Sequence, residues 1–558
     1  MLRHEEAEAR IAGKEFDVCI IGGGATGAGC ALDAQLRGLK TALLEGNDFA
    51  SGTSSTSTKL IHGGVRYLEQ AVKGLDLAEY EVVKRALRER IRMLHNGPYL
   101  SRPMEFIVPC FDWLTVGYMG IGLKLYDWLA GEARIFDSRF QNSQTTLQHL
   151  PSLKRNHLVG SVVYADGQFD DGRYNLALVK TMVEADGDAL NHARVAAFAR
   201  DSNGKLSGVE VENQLSGKRF PVRAKVFVNA TGPWADTLRQ MANPETQPRM
   251  RVSKGIHILL PLELHRSKSA LLIPKTEDGR VLFAVPWFDR LLVGTTETEV
   301  SPQDEMRVTR DEVAYVLRHL NQYLETPVAL EQILSGTAGM RPLVSAAGTE
   351  NTSKLARDHE VELDAKSGLV SIMGGKWTTY RAMAEDTINT VQKRLGLRVT
   401  PAKTADHRLA GSEGYSAEYP KNLANRFSIS DTTAQHLARK FGTRAEHVLE
   451  LARQDAELAK PIVSGLTPIR AEVVYSIREE MAMTVEDVLS RRTGLQLLDW
   501  RGAREAASVA GSLLAKELGW SAEAEHAAVA HYRDNITKLL GTAGLPDKQE
   551  MEAAIPRN

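Results

Sequence analysis

Residues 16–36 read FDVCIIGGGATGAGCALDAQL, and the reading of this stretch decides the fold. Phe16 to Ile21 is an apolar run of strand length, glycines follow, and the residues from Ala25 onward have helical composition. A second apolar run, Lys40 to Leu44, ends in Glu45. Strand, tight turn, helix and strand in that order open a doubly wound nucleotide-binding fold. Gly22, Gly24 and Gly27, with Ala25 and Thr26 between them, form a GxGxxG turn. Its glycines let the backbone approach a pyrophosphate, which a helix N-terminus stabilises with its N–H groups and positive dipole end. Glu45 stands where a carboxylate accepts both ribose hydroxyls and disfavours a 2′-phosphate, about 20 residues on. The expected ligand is a dinucleotide.

Two further turns bear on which one. Ala230-Thr231-Gly232 follows the apolar run Val226 to Asn229, as a crossing back toward the adenosine half would. Val370 to Met373, then Gly374-Gly375-Lys376, repeats the strand-turn-helix pattern and is suited to stabilising negative charge on a flavin pyrimidine. An NAD site needs one such unit; three in order favour FAD. The flavin domain is therefore expected to be discontinuous, over residues 15–75, 160–235 and 335–395. Residues 76–159 and 236–334 are assigned to a substrate domain. Asn203-Gly204, Ser216-Gly217, Asp278-Gly279 and Asp289-Arg290 punctuate apolar runs as hairpin turns do, so an antiparallel sheet is expected to interleave with the nucleotide fold. Leu75 to Leu94 reads as an amphipathic helix. Beyond the polar stretch Pro401 to Tyr415, residues 416–540 have helical periodicity and are read as a separate all-α domain.

Composition narrows the function. Across 558 residues the formal net charge is −1, which argues against a nucleic-acid binder but leaves room for a local phosphate pocket. Cys19, Cys30 and Cys110 have no metal-ligand spacing, so no metal is expected, and they read as buried thiols of a reducing compartment. The N-terminus has no apolar signal core, and no run reaches the roughly 18–20 apolar residues a spanning helix needs. Trp113 to Ala130 comes nearest but carries Lys124, Asp127 and three glycines. With Trp113, Tyr118, Tyr126 and Trp128 it is either an interfacial patch or ordinary core packing.

Residues 54–68, SSTSTKLIHGGVRYL, resemble the signature of the FAD-dependent, quinone-linked glycerol-3-phosphate dehydrogenases. So do Tyr164 to Gln168 (YADGQ), Gly339 to Leu343 (GMRPL), Ala356-Arg357-Asp358 and Gly374 to Arg381 (GGKWTTYR). Arg478-Glu479-Glu480, Asp487 and Arg491-Arg492-Thr493 are similar to that family's helical cap. The resemblance spans roughly residues 15–540. No transit peptide precedes the flavin motif and no EF-hand loop follows Tyr532, so the bacterial type, without calcium control, is expected.

The resemblance implies an α/β flavoprotein: a Rossmann-like FAD domain of the glutathione-reductase and amino-acid-oxidase type, an interleaved substrate sheet of six to eight strands, and a C-terminal all-α cap. The implied reaction oxidises sn-glycerol 3-phosphate to dihydroxyacetone phosphate and passes electrons to membrane quinone. The alternatives are a glycerophosphate oxidase using oxygen or a flavoprotein without turnover. Arg66, Arg341, Arg357 and Lys376 are the implied phosphate-binding cluster, since guanidinium forks suit phosphate oxygens. His62 and His257 are candidates for the base that takes the C2 hydroxyl proton, with arginine- or water-assisted transfer as the alternative. Besides Gly22, Gly24, Ala25, Thr26, Gly27 and Glu45, the expected cofactor contacts are Thr53, Ser54, Ser55, Ser57, Lys59, Leu60, His62, Gly63, Gly64, Ala230, Gly232, Gly375, Lys376, Trp377 and Thr378. A peripheral place on the cytoplasmic face of the cell membrane, or the cytoplasm, is expected, and a homodimer is among the expected assemblies.

Overall fold

The computed structural model describes residues 3–64, 77–344 and 359–547. Val18, Cys19 and Ile20 are fully buried on both faces, as a central parallel strand requires. Their strand, Glu15–Ile21, pairs in parallel with Thr41–Leu44 on one side and Arg219–Asn229 on the other. The eight-stranded first sheet continues outward to Asp188–Leu190 at one edge and to Val370–Gly374 and then His359–Leu363 at the other. Ala193–Arg200 and Leu206–Asn213 join it as antiparallel hairpins that turn at Gly204 and Gly217, both with positive φ. The helices Ala25–Leu36 and Tyr380–Arg394 pack tightly on it: a Cβ at Gly29 would lie 2.8 Å from the Tyr380 ring. That contact closes a unit whose last segment is more than 300 residues from its first.

The second sheet has ten strands, more than the six to eight the resemblance implies. Short strands such as Leu60–Ile61, Arg139–Asn142 and Thr298–Val300 contribute to the larger count. Two expected boundaries change. Gly160–Phe169 and Ser335–Val344, placed with the flavin segments by their position in the chain, belong to this second sheet. They hydrogen-bond to Ser101–Cys110 and Met250–Pro261 along their whole length, so the ladder, and not chain order, sets their domain. Hairpins turn at Asp278-Gly279 and Phe288-Asp289, and helix Leu77–Asn96 lies where amphipathic periodicity predicted one.

The C-terminal helices are less separate than expected. Tyr419–Phe427, Asp431–Phe441 and Ala445–Gln454 bury an apolar cluster of their own. Val473, Val488, Trp500 and Ala507 instead share one continuous core with Ile256, Leu291 and Val293 of the second sheet. Buried ion pairs tie the same helices to the first sheet. Arg173 grips Glu480 with two bonds of 2.6 and 2.7 Å, and Arg492 grips Asp48 at 2.6 and 2.8 Å. His192 bonds Asp487 at 2.9 Å. All three cysteines are buried free thiols, and burial pushes Cys30 up to about 12 and Cys110 up to about 11.

Burial by itself would raise the Asp48 carboxyl, but Arg492 and Arg491 beside it hold it well below the usual carboxylate range. A depressed folded value contributes stability above the unfolded value near 4 and loses it as pH falls. Asp48→Ala takes from Arg491 and Arg492 their shared buried carboxylate, leaving Arg491 its Asp487 bond and Arg492 the Glu480 carbonyl, and is expected to cost about 3–5 kcal/mol, read as an earlier urea midpoint. The gap to the wild type is expected to be full at neutral pH and to narrow below about pH 4; a pH-independent gap would point to lost packing instead.

Candidate active site

Gly22 adopts φ +111°, and a Cβ there would strike the Ala230 carbonyl oxygen at 2.6 Å, so only glycine allows the first turn to pack on the crossing-back strand. The Glu45 carboxylate folds toward the same turn and accepts the Gly23 N–H at 2.6 Å and the Asn47 N–H at 2.8 Å. Burial raises its carboxyl value, and those two N–H groups oppose the shift. Asn175 donates to the Gly23 carbonyl at 2.9 Å. Glycine turn, helix N-terminus and carboxylate thus stand together as a dinucleotide cradle.

The loop Gly52 to Lys59 lies over this helix N-terminus and is tied down from four directions. Ser54 Oγ accepts the Ala25 N–H at 2.8 Å. Thr53 Oγ1 donates to the Met340 carbonyl at 2.8 Å, and Trp377 Nε1 donates to the Ser54 carbonyl at 2.9 Å. Ser57 bonds Asp171 through its N–H and its hydroxyl. Lys59, expected as a cofactor contact, has its ammonium committed to Asp171 and to the Ser55 carbonyl, and its side chain is 2% exposed. It is a strut of the loop, because a buried ammonium must be paired. Trp377 likewise packs its ring among Phe169, Tyr174 and Tyr380.

Arg341 and His257 lie on neighbouring strands, and the register sets Arg341 opposite Ser253, so period-2 alternation puts them on one face with Gly255 between. The guanidinium occupies the space over Gly255, where a Cβ would be 2.2 Å from Nη2. Nη2 donates to Thr295 Oγ1 at 2.7 Å and to the Thr296 carbonyl at 3.1 Å. His257 Nε2 is hydrogen-bonded to Thr58 Oγ1 at 3.0 Å. Burial, with Arg341 and Lys59 alongside, pushes this imidazole down to about 3.

His62 has different surroundings. Leu60 and Ile61 pair with Gln168 and Gly167, so the next residue, His62, comes up beside Asp166. Burial lowers the imidazole, Asp166 opposes that shift, and Lys376 and Arg90 add to it. The His62 N–H donates to Thr378 Oγ1 at 3.3 Å, and the Gly63 N–H to Tyr126 Oη at 2.9 Å. Tyr126 in turn bonds Asp166 at 3.0 Å, and Arg90 bonds it at 2.6 Å. Asp166 sits inside the YADGQ motif, yet sequence reading assigned it no role; only strand pairing shows that it backs His62. Arg66 and Arg357, along with Val65, Tyr67 and Ala356, lie outside the described residues. Of the expected phosphate cluster, Arg341 and Lys376 are placed, Arg341 beside His257 and Lys376 within electrostatic reach of His62.

Residues 17–381 match the family of FAD dependent oxidoreductases, and residues 402–525 match the C-terminal domain of alpha-glycerophosphate oxidase. The mitochondrial glycerol-3-phosphate dehydrogenase of Rattus norvegicus is 40% identical over 518 residues, covering 91% of this chain and 71% of that protein. The structure of the glycerol-3-phosphate dehydrogenase from Bacillus halodurans complexed with FAD superposes with a TM-score of 0.77 at 29% identity, over 97% of each chain. L-alpha-glycerophosphate oxidase from Mycoplasma pneumoniae, at 16% identity and TM-score 0.54 over 71% of this chain and 99% of that one, shares the fold.

A side chain at Gly24 would meet Ser54 Oγ at 2.9 Å, the atom that receives the Ala25 N–H. Gly24→Val is therefore expected to yield a folded, colourless protein, with retained helicity by circular dichroism and no flavin absorbance after purification.

Proposed function

This chain belongs to the FAD-dependent oxidoreductase family, on the branch of the glycerol-3-phosphate dehydrogenases, and from that premise we propose that it oxidises sn-glycerol 3-phosphate to dihydroxyacetone phosphate. The observation that carries the reading is the pairing of a dinucleotide cradle with a cationic, histidine-bearing face on the second sheet, joined by one clamped loop. Gly22 to Gly27 and Glu45 would hold the pyrophosphate and ribose of FAD, and the turn at Gly374 to Thr378 its flavin end. Bound FAD supplies the acceptor for the hydride that leaves C2. Arg341 and Lys376 would hold the substrate phosphate by charge-assisted hydrogen bonds, with Arg66 and Arg357 assigned to the same cluster.

The two histidines divide the remaining work. A base must take the C2 hydroxyl proton, and the imidazolium so formed needs a nearby negative charge. His257 has Arg341 and Lys59 as neighbours, which oppose that charge. His62 faces Asp166, which favours it. We assign the base to His62 and give His257, bonded to Thr58, the positioning of the loop beside Arg341.

The acceptor of the electrons is proposed to be membrane quinone. Among the described residues no helix is long and apolar enough to cross a membrane. The helix Trp113–Ala130 buries Leu123, Tyr126 and Leu129 but leaves Trp113 69%, Leu114 88%, Ile121 76% and Trp128 68% exposed. Large apolar side chains gathered on one exposed helix support peripheral attachment to a lipid surface, where such an acceptor is dissolved.

Anaerobic titration of the FAD-loaded enzyme with glycerol 3-phosphate is expected to bleach the flavin absorbance, and a quinone analogue to restore it faster than oxygen does. Persistent colour would overturn the substrate; faster recovery in oxygen with stoichiometric peroxide would replace quinone by oxygen. His62→Gln is expected to lower kcat by about 10²–10⁴, whereas His257→Gln should act mainly on KM. Because the His62 value lies below the ordinary 6.5, kcat/KM should already be on its plateau at pH 7 and fall only on further acidification. Leu114→Glu combined with Ile121→Glu should abolish co-sedimentation with lipid vesicles while leaving turnover with a soluble acceptor intact; unchanged partitioning would exclude this helix.

A further inference from the structure

A second cationic site lies where the cap meets the second sheet. A cavity of about 130 Å³ opens there, lined by Arg102 from strand Ser101–Cys110, Arg439 from helix Asp431–Phe441, and the rings of Tyr99, Tyr415, Trp287 and Phe288. None of His62, His257, Arg341 or Lys376 lines it. Arg102 donates through Nε and Nη2 to Gln168 Oε1 at 2.9 and 2.6 Å. Gln168 is itself oriented by an Nε2 bond to the Pro286 carbonyl at 2.7 Å, and an amide carries no charge to offset a guanidinium. Among the described residues neither arginine has a carboxylate within ion-pairing distance, and Arg439 has no hydrogen-bond acceptor in reach. Asp170, the carboxylate in the lining, is taken by Lys440 at 3.3 Å and by the Arg173 N–H.

Two half-buried guanidinium groups facing one another without a counter-charge are costly. Burial, with Arg439 beside it, pushes Arg102 down to about 10, and burial lowers Arg439 as well. Three other buried arginines are ion-paired, Arg173 with Glu480, Arg492 with Asp48 and Arg381 with Glu89, and the buried Arg501 donates to the Pro546 and Ile333 carbonyls. The aromatic walls lower the local polarity on one side of the two guanidinium groups, which strengthens an anion contact made against them. The cavity has room for a tetrahedral anion with a short substituent. Arg102 keeps its Nη1 edge, and Arg439 its whole fork, to bond such an ion.

We propose that Arg102 and Arg439 form a binding site for a phosphate dianion, either inorganic phosphate or a small phosphomonoester, that bridges the helical cap to the second sheet. The site is independent of the substrate cluster. Occupancy converts a repulsive contact between cap and sheet into an attractive one, so the anion stabilises the docked cap. Gln168, which orients Arg102, pairs with Leu60 two residues before His62, so the bridge is anchored on the strand next to the one that leads into His62.

The test uses the FAD-loaded enzyme, titrated calorimetrically with inorganic phosphate and with glycerol 2-phosphate at fixed ionic strength, as wild type, Arg439→Gln and Arg439→Lys. The wild type should bind one more equivalent of phosphate than Arg439→Gln, in which that site weakens at least about tenfold, while Arg439→Lys keeps part of it. In phosphate-free buffer Arg439→Gln should have a Tm equal to or above that of the wild type, since like-charge repulsion is relieved, and should turn over glycerol 3-phosphate normally. Added phosphate should raise the wild-type Tm more than that of the variant. If both anions bind through Arg439 the occupant class is a phosphomonoester; if inorganic phosphate alone does, it is the free ion. Identical stoichiometry and affinity in the wild type and Arg439→Gln would overturn the site. So would a lower phosphate-free Tm in Arg439→Gln with an unchanged phosphate response, which would make the arginine merely structural.

Discussion

Lys59 and Asp171 form an ion pair in the interior, both side chains almost without exposure, and neither could remain there alone. Holding that ammonium in place fixes the end of the loop Gly52 to Lys59. The loop then meets the first helix through Ser54, the second sheet through Thr53 and Thr58, and the third glycine turn through Trp377. Each of these bonds is an ordinary one, worth about 1 kcal/mol. Their joint effect is geometric: the cradle, His257 and the strand that carries Arg341 stand in a fixed relation because one loop bonds to each. Removing either buried charge would leave the other unpaired and release the loop from its anchor.

The electrostatics of the site follow from which strand lies beside which. His62 and His257 are both buried imidazoles, and burial lowers both. What separates them is the neighbour: a carboxylate, Asp166, for one and a guanidinium, Arg341, for the other. The Asp166 carboxyl is raised by its own burial and held in place by Arg90 and Tyr126. A chain of buried polar groups of this kind is costly unless its members are bonded to one another.

The cap is held by two kinds of force. The helices of Val473 and Val488 share a hydrophobic core with the second sheet, and the same helices carry Glu480 and Arg492, which bridge to Arg173 and Asp48 of the unit built on the first sheet. Asp48 stands three residues beyond Glu45, so the network that docks the cap begins beside the dinucleotide cradle. Against these satisfied pairs, the Arg102 and Arg439 juxtaposition is the place where the same interface leaves positive charge uncompensated.

Much of this protein was legible in local sequence. The glycine turn, the carboxylate at Glu45, the hairpins at Gly204 and Gly217 and the third turn at Gly374-Gly375 are all short-range features, set by backbone sterics within a few residues, and each stands where it was read. Other features needed the folded chain. Gly160–Phe169 is apolar enough for either sheet, and only its ladder to Ser101–Cys110 settles which one. Lys59 reads as a cofactor contact from sequence, and only the fold brings Asp171 from 112 residues away to take up its ammonium. The cap motifs Glu480, Asp487 and Arg491-Arg492 resemble a family pattern, but their partners Arg173, His192 and Asp48 lie hundreds of residues earlier. Local patterning determined which elements form and which cofactor they suit. Tertiary structure alone decided which charges meet, because an ion pair's energy depends on distance and burial, and neither is encoded at any one position in the chain.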